Sequence, residues 1–127
     1  MSKVTSVHTD NAPKAVGPYS QAAIAGELIF CSGQIGIDPQ SGEVVVGIEN
    51  QTHQVMKNIS AVLAAASSDM EHILKTTIYL SDMNNYGKVN ELYGSYFTVH
   101  KPARATVEVA RLPKDVLIEI DAIATKK

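Results

Sequence analysis

Arg104 and Glu119 are the residues of this chain best suited to chemistry on a small acid. Arg104 follows Pro102-Ala103, and its planar fork of donors matches a carboxylate bidentately. Both residues lie in one β-branched stretch, read as two strands over 103–110 and 116–125 joined by a Leu112-Pro113-Lys114-Asp115 turn. Alternation puts Arg104, Thr106 and Glu108 on one side of the first strand, and Val107 and Val109 on the other. On the second strand Glu119 and Asp121 oppose Ile118, Ile120 and Ala122. Strands this apolar predict cover on both faces, which makes Arg104 and Glu119 partly buried charges; an edge hairpin with one solvated face is the alternative. Tyr19, on irregular backbone after Gly17-Pro18, is either a site hydroxyl or a packing residue with a wet hydroxyl. Ser32-Gly33 closes the apolar run 28–31; Gly33 admits a close neighbour and its N–H can serve an anion, or it marks a simple bulge. Asn90 interrupts an apolar helical stripe and is a structural bracket or a site residue. An Arg, a carboxylate, two hydroxyls and a glycine amide can hold a small acid and orient a water without any cofactor.

The elements that must position these groups follow from period. Short strands are expected at 4–7 and 43–46, and a hairpin over 22–32 with a tight turn near Gly26-Glu27. From Ile48 to about Ser67 the pattern is helical, with Ile48, Thr52, Val55, Met56, Ile59, Val62, Leu63 and Ala66 on one stripe and Gln51, Gln54, Lys57 and Asn58 elsewhere. A strand over 73–80 precedes a second helix at 83–99, capped by Ser81-Asp82, with Tyr86, Val89, Tyr93 and Phe97 on its apolar side. This order gives one α+β domain over 1–127, a mixed sheet with two helices on one face. The other sheet face then needs cover, which points to self-association.

A net charge of −2 gives no global attraction to nucleic acid or anionic membrane. The single cysteine, Cys31, excludes an internal disulfide and any CxxC motif; it reads as a buried hydrophobe, with a reactive thiol as the alternative. His8, His53, His72 and His100 lack metal-ligand spacing, so no metal is expected. No phosphate loop, dinucleotide fingerprint or nucleophile elbow is present. Without a membrane-spanning or signal-like stretch, a cytoplasmic address is expected, and the sequons at Asn50 and Asn58 are discarded.

Over almost its whole length the chain resembles the RidA/YjgF family of imine and enamine deaminases. The resemblance rests on Gly17-Pro18-Tyr19-Ser20-Gln21, Ser32-Gly33-Gln34-Ile35, Val89-Asn90-Glu91-Leu92-Tyr93 and, above all, PARATVEVARLPKDVLIEIDAIA. It implies a chorismate-mutase-like α+β fold, a homotrimer with clefts between subunits, and hydrolysis of 2-aminoacrylate and other 2-imino acids to 2-keto acids and ammonia. By position, Arg104 would bind the substrate carboxylate with the N–H of Gly33, Glu119 would position the attacking water, and Tyr19, Ser32 and Asn90 would line the cleft. Thr106 would serve through its main chain, where many relatives have Ser-Cys or Ser-Thr for Ala105-Thr106. Asp121 stands where Glu is usual, and Gly36, where Pro is frequent, is expected to loosen the loop beside the cleft. Two readings from other classes are an RNA-cleaving, translation-inhibiting activity, and a non-catalytic trimer that binds 2-keto acids or acts as a holdase.

Overall fold

Period-two alternation builds a six-stranded sheet, and two apolar helical stripes cover one side of it. The computed structural model describes residues 3–127. Its strands are β1 (Val4–Val7), β2 (Ala22–Ala25), β3 (Leu28–Ile35), β4 (Ile73–Leu80), β5 (Ala103–Glu108) and β6 (Ile118–Thr125), in the order β1-β2-β3-β6-β4-β5. All neighbours are antiparallel except β4 and β5. Helix α1 is Ile48–Ala65 and α2 is Tyr86–Gly94. The fold is the expected α+β arrangement.

Strand β6 carries the core. Ile118, Ile120, Ala122 and Ala124 are buried against Val55, Met56, Ile59, Val62 and Leu63 of α1 and against Ile29, Ile78 and Leu80 of the flanking strands. Each Val, Leu, Ile or Met among them contributes roughly 1.5–3 kcal/mol by leaving water, the two alanines less. The opposite face shows Glu119, Asp121 and Ile123 beside Phe30, Tyr79 and Val107, and Phe30 and Val107 remain 45% and 41% exposed. Among the described residues of one chain nothing covers that face.

Five expectations need correction. The two C-terminal strands are not a hairpin: β5 lies parallel to β4 at the sheet edge, while β6 inserts between β3 and β4. A β4-α2-β5 crossover makes the parallel pair, as parallel neighbours require. The Pro113–Asp115 turn then carries the chain across β4, with Lys114 and Asp115 left-handed at φ 57 and 56, braced by Arg111 Nε donating to Asp115 Oδ1 at 2.7 Å. The strand expected at 43–46 reduces to one bridge, Ile37 to Val44, because that segment meets no longer partner. The second helix is α2 behind a 3-10 turn, Met83–Asn85, where Asp82 accepts from Asn84 N–H at 2.9 Å; past Gly94 only turns follow.

Gln51 and Asn58, read as lying off the core stripe, are 5% and 1% exposed. Their amides find backbone partners: Asn58 Nδ2 donates to the carbonyls of Ile35 and Ile37 at 3.2 and 2.9 Å, and Gln51 Oε1 accepts from Leu117 N–H at 2.9 Å. Gly36 does not loosen its loop. A Cβ there would stand 2.9 Å from Gln51 Cα, so glycine lets α1 approach closely.

Candidate active site

Proline-terminated approach and a β-branched run start β5 at Ala103, and parallel pairing sets Arg104 opposite Thr76 of β4. Thr76 is also the partner of Ala122 on the buried row, and its Oγ1 is 2.6 Å from the Tyr93 hydroxyl of α2. Arg104 therefore rises on the helix side. Its Nη1 donates to Asn90 Oδ1 and its Nη2 to the Tyr86 hydroxyl, both at 2.8 Å. The guanidinium carbon lies 5.2 Å from the ring centre of Tyr93 and 5.6 Å from that of Tyr86, within cation–π range. Burial pushes the Tyr93 phenol up, opposed by its Thr76 hydrogen bond and the Arg104 charge. Among the described residues no ion pair includes Arg104. A cation held by neutral acceptors and ring faces keeps its remaining N–H groups for an anion. Beside it Thr106 shares the face, and its Oγ1 is buried with no hydrogen-bond partner.

The second half-site forms where β3 and β6 slip register. Ser32 and Gly33 together oppose Asp121, a β-bulge between the pairs Cys31–Ala122 and Gln34–Ile120. The bulge brings Gly33 onto the Glu119 side chain, and an added Cβ would sit 2.8 Å from Glu119 Cδ. Gly33 is thus a close-approach glycine. Burial, and then the neighbouring Asp121 charge, raise the Glu119 carboxyl above the usual glutamate range. Asp121 accepts from the Tyr79 hydroxyl at 3.0 Å. Glu119, Gly33 and Tyr19 line one cleft of about 390 Å³, with Lys14 and Lys114 also on its wall.

The loop carrying Tyr19 is fixed by two residues. Ser32 Oγ donates to the Ser20 carbonyl at 2.6 Å, so the serine serves first as a brace. Buried Gln21, which sequence reasoning did not single out, accepts from Thr9 N–H at 2.7 Å and donates to the Pro13 carbonyl at 2.8 Å. Tyr86 was also missed as a site residue. Its place in an apolar stripe read as core, yet it is 38% exposed and holds Arg104; a tyrosine rather than phenylalanine on that stripe was the available signal.

The candidate residues therefore fall into two groups, Arg104, Asn90 and Thr106 on the helix side, and Tyr19, Ser32, Gly33 and Glu119 at the bulge. Glu119 is paired with Tyr79, three residues along β4 from the Thr76 that faces Arg104, and it projects from the opposite sheet face. Three residues of strand span about 10 Å. One small acid cannot touch both groups within a single chain. Cys31 is buried on the helix side, its thiol pushed up to about 12 by burial first and Asp121 second, so it is an inert hydrophobe at neutral pH. Among the described residues no group of His, Cys, Asp and Glu side chains is placed to hold a metal ion, and no helix is long and apolar enough to cross a membrane.

Comparison with known proteins extends this geometry. The family model described as Endoribonuclease L-PSP matches residues 9–126. A RutC family protein of Pyrococcus horikoshii is 57% identical over 122 residues, covering 95% of this chain and 97% of that one. The 2-iminobutanoate/2-iminopropanoate deaminase of Escherichia coli is 45% identical over 124 residues, covering 95% and 97%. The crystal structure of Escherichia coli TdcF with bound serine superposes with a TM-score of 0.93 at 38% identity, covering 97% of this chain and 99% of that one. Matching motifs, matching fold and near-complete coverage agree: the chain belongs to the RidA/YjgF family, the family of the L-PSP model.

Proposed function

We propose that the protein hydrolyses 2-aminoacrylate and other 2-enamine and 2-imino acids to 2-keto acids and ammonia, as a homotrimer whose sites lie between subunits. The observation that carries this reading is Arg104, a cation bracketed by Asn90, Tyr86 and Tyr93 with no acidic partner among the described residues. The deaminase named among its relatives supplies the reaction class, and the relative crystallised with serine supplies the size of ligand.

In this reading Arg104 grips the substrate carboxylate through the donors that Asn90 and Tyr86 leave free. The bulge of a neighbouring subunit brings the Gly33 N–H and Glu119 to the imine carbon. An enamine first takes a proton at C3 to become the imine. Glu119 then accepts a proton from water as its oxygen bonds to C2, giving a carbinolamine. Return of that proton to nitrogen breaks the C–N bond, and the hydroxyl hydrogen leaves as a proton as C=O re-forms, balancing the one taken up at C3; ammonia and the keto acid are released. A carboxyl raised above the ordinary range suits both halves of this exchange. Tyr19, Ser32 and the Thr106 main chain complete the wall.

The test generates 2-aminoacrylate with a serine- or threonine-consuming enzyme and follows keto acid and ammonia in the presence of the protein. Formation above the spontaneous rate is expected. No acceleration over buffer overturns the assignment.

A further inference from the structure

The Arg104 cleft carries a second cation that the deaminase chemistry does not use. About 270 Å³ in volume, it is lined by Asn90, Tyr93, Phe97, Lys101 and Arg104. That is just below the range usual for small-ligand sites, about 300–1,000 Å³, and suits a small metabolite. None of the lining residues is acidic; Glu91, next to Asn90 on α2, is not on the wall. Among the described residues neither Lys101 nor Arg104 is in an ion pair. Among the described residues Lys101 Nζ makes one hydrogen bond, to the Phe97 carbonyl at 3.4 Å, a long one and easily exchanged. Two like charges thus border one small cleft with only neutral acceptors around them. An anion with two charges relieves that repulsion better than a monoacid can.

We propose that Lys101 receives a second carboxylate, so that the preferred substrates are 2-imino acids with an acidic side chain, the imines of four- and five-carbon amino dicarboxylates. Arg104 takes the carboxylate next to the imine, and Lys101 releases Phe97 to meet the distal one. The competing role for Lys101 is structural, a cap on the carbonyls that follow α2. For turnover, though not for binding, the inference rests on the deaminase reading above.

Two arms separate these possibilities, using wild type, Lys101→Met and Lys101→Arg. Methionine keeps an apolar stem without the charge, and arginine restores the charge. Calorimetry with 2-oxoglutarate and 2-oxobutanoate measures binding of the diacid and monoacid products. Wild type is expected to bind the diacid more tightly. Lys101→Met should weaken it tenfold or more, as loss of a charge-assisted hydrogen bond implies, and change the monoacid less than twofold. Lys101→Arg should recover most of the difference. In the second arm an amino-acid oxidase generates the imines of glutamate and alanine, and kcat/KM should split in the same way. Equal weakening of both ligands, no weakening, or a wild type indifferent to the second carboxylate overturns the proposal. A wild type that accelerates neither imine removes the deaminase reading, while the calorimetric split still decides Lys101.

Discussion

Arg104 illustrates how an isolated charge becomes specific: its neighbours supply neutral oxygen and ring faces, so its electrostatic demand is left for a ligand. Arg104→Ala should abolish imine hydrolysis in a protein that still folds, as circular dichroism would show, and Arg104→Lys should lose about 100-fold because a point charge cannot make the fork contact. Tyr86→Phe removes one hydrogen bond to the guanidinium and keeps the ring. It should raise KM roughly three- to tenfold, in line with about 1 kcal/mol for such a bond. At the other half-site, Gly33→Ala drives a methyl into the Glu119 carboxylate and should lower kcat far more than it lowers keto-acid affinity. Glu119 also sets a pH signature. Its raised carboxyl must be ionised to accept the water proton, so turnover falls as pH drops through a value above the ordinary glutamate range. Asp121→Asn removes the second cause of that shift, and the acid limb should move to lower pH in a kcat profile. The half-burial of Arg104 and Glu119 was readable in the sequence, because both are charges set in a β-branched, largely apolar run. Tyr86 was not, since a stripe of aromatic residues states burial but not which hydroxyl faces a neighbour.

Secondary elements hold the bulge in place through amides rather than apolar contact alone. Asn58 of α1 satisfies one carbonyl at the end of β3 and one just past it, and Gln51 holds the entry to β6, so the helix clamps both strands that carry Gly33 and Glu119. Asn58→Ala leaves the Ile35 and Ile37 carbonyls without that partner and should cost about 1–3 kcal/mol in urea unfolding. The extent of β4 and the start of α1 followed directly from period. The burial of Gln51 and Asn58 did not, because a polar side chain enters a core only when distant backbone offers it partners, and sequence spacing says nothing of those. The pairing of β5 escaped for a related reason. A turn of suitable composition joins it to β6, yet parallel pairing with β4 keeps β5 at the edge and leaves the central place to the more fully apolar row of β6.

For the molecule as a whole, the two half-sites face away from each other across one sheet, and that sheet exposes Phe30 and Val107 on its bare side. A shared site predicts complementation between inactive variants. Arg104→Ala and Tyr19→Ala, shown by sedimentation to assemble, should regain partial activity when unfolded together and refolded as a mixture. No recovery with confirmed subunit mixing would place both residues in the same chain. The topology has a further consequence, for biogenesis. Strand β6 is the last of the sheet to leave the ribosome, and among the described residues it is the strand that pairs with both β3 and β4. While those residues remain in the exit tunnel, the nascent chain holds two open sheet fragments, each with an unpaired inner edge of the kind that templates aggregation. Closure of the sheet must therefore wait until β6 has cleared the tunnel, and chaperone dependence should concentrate in that interval.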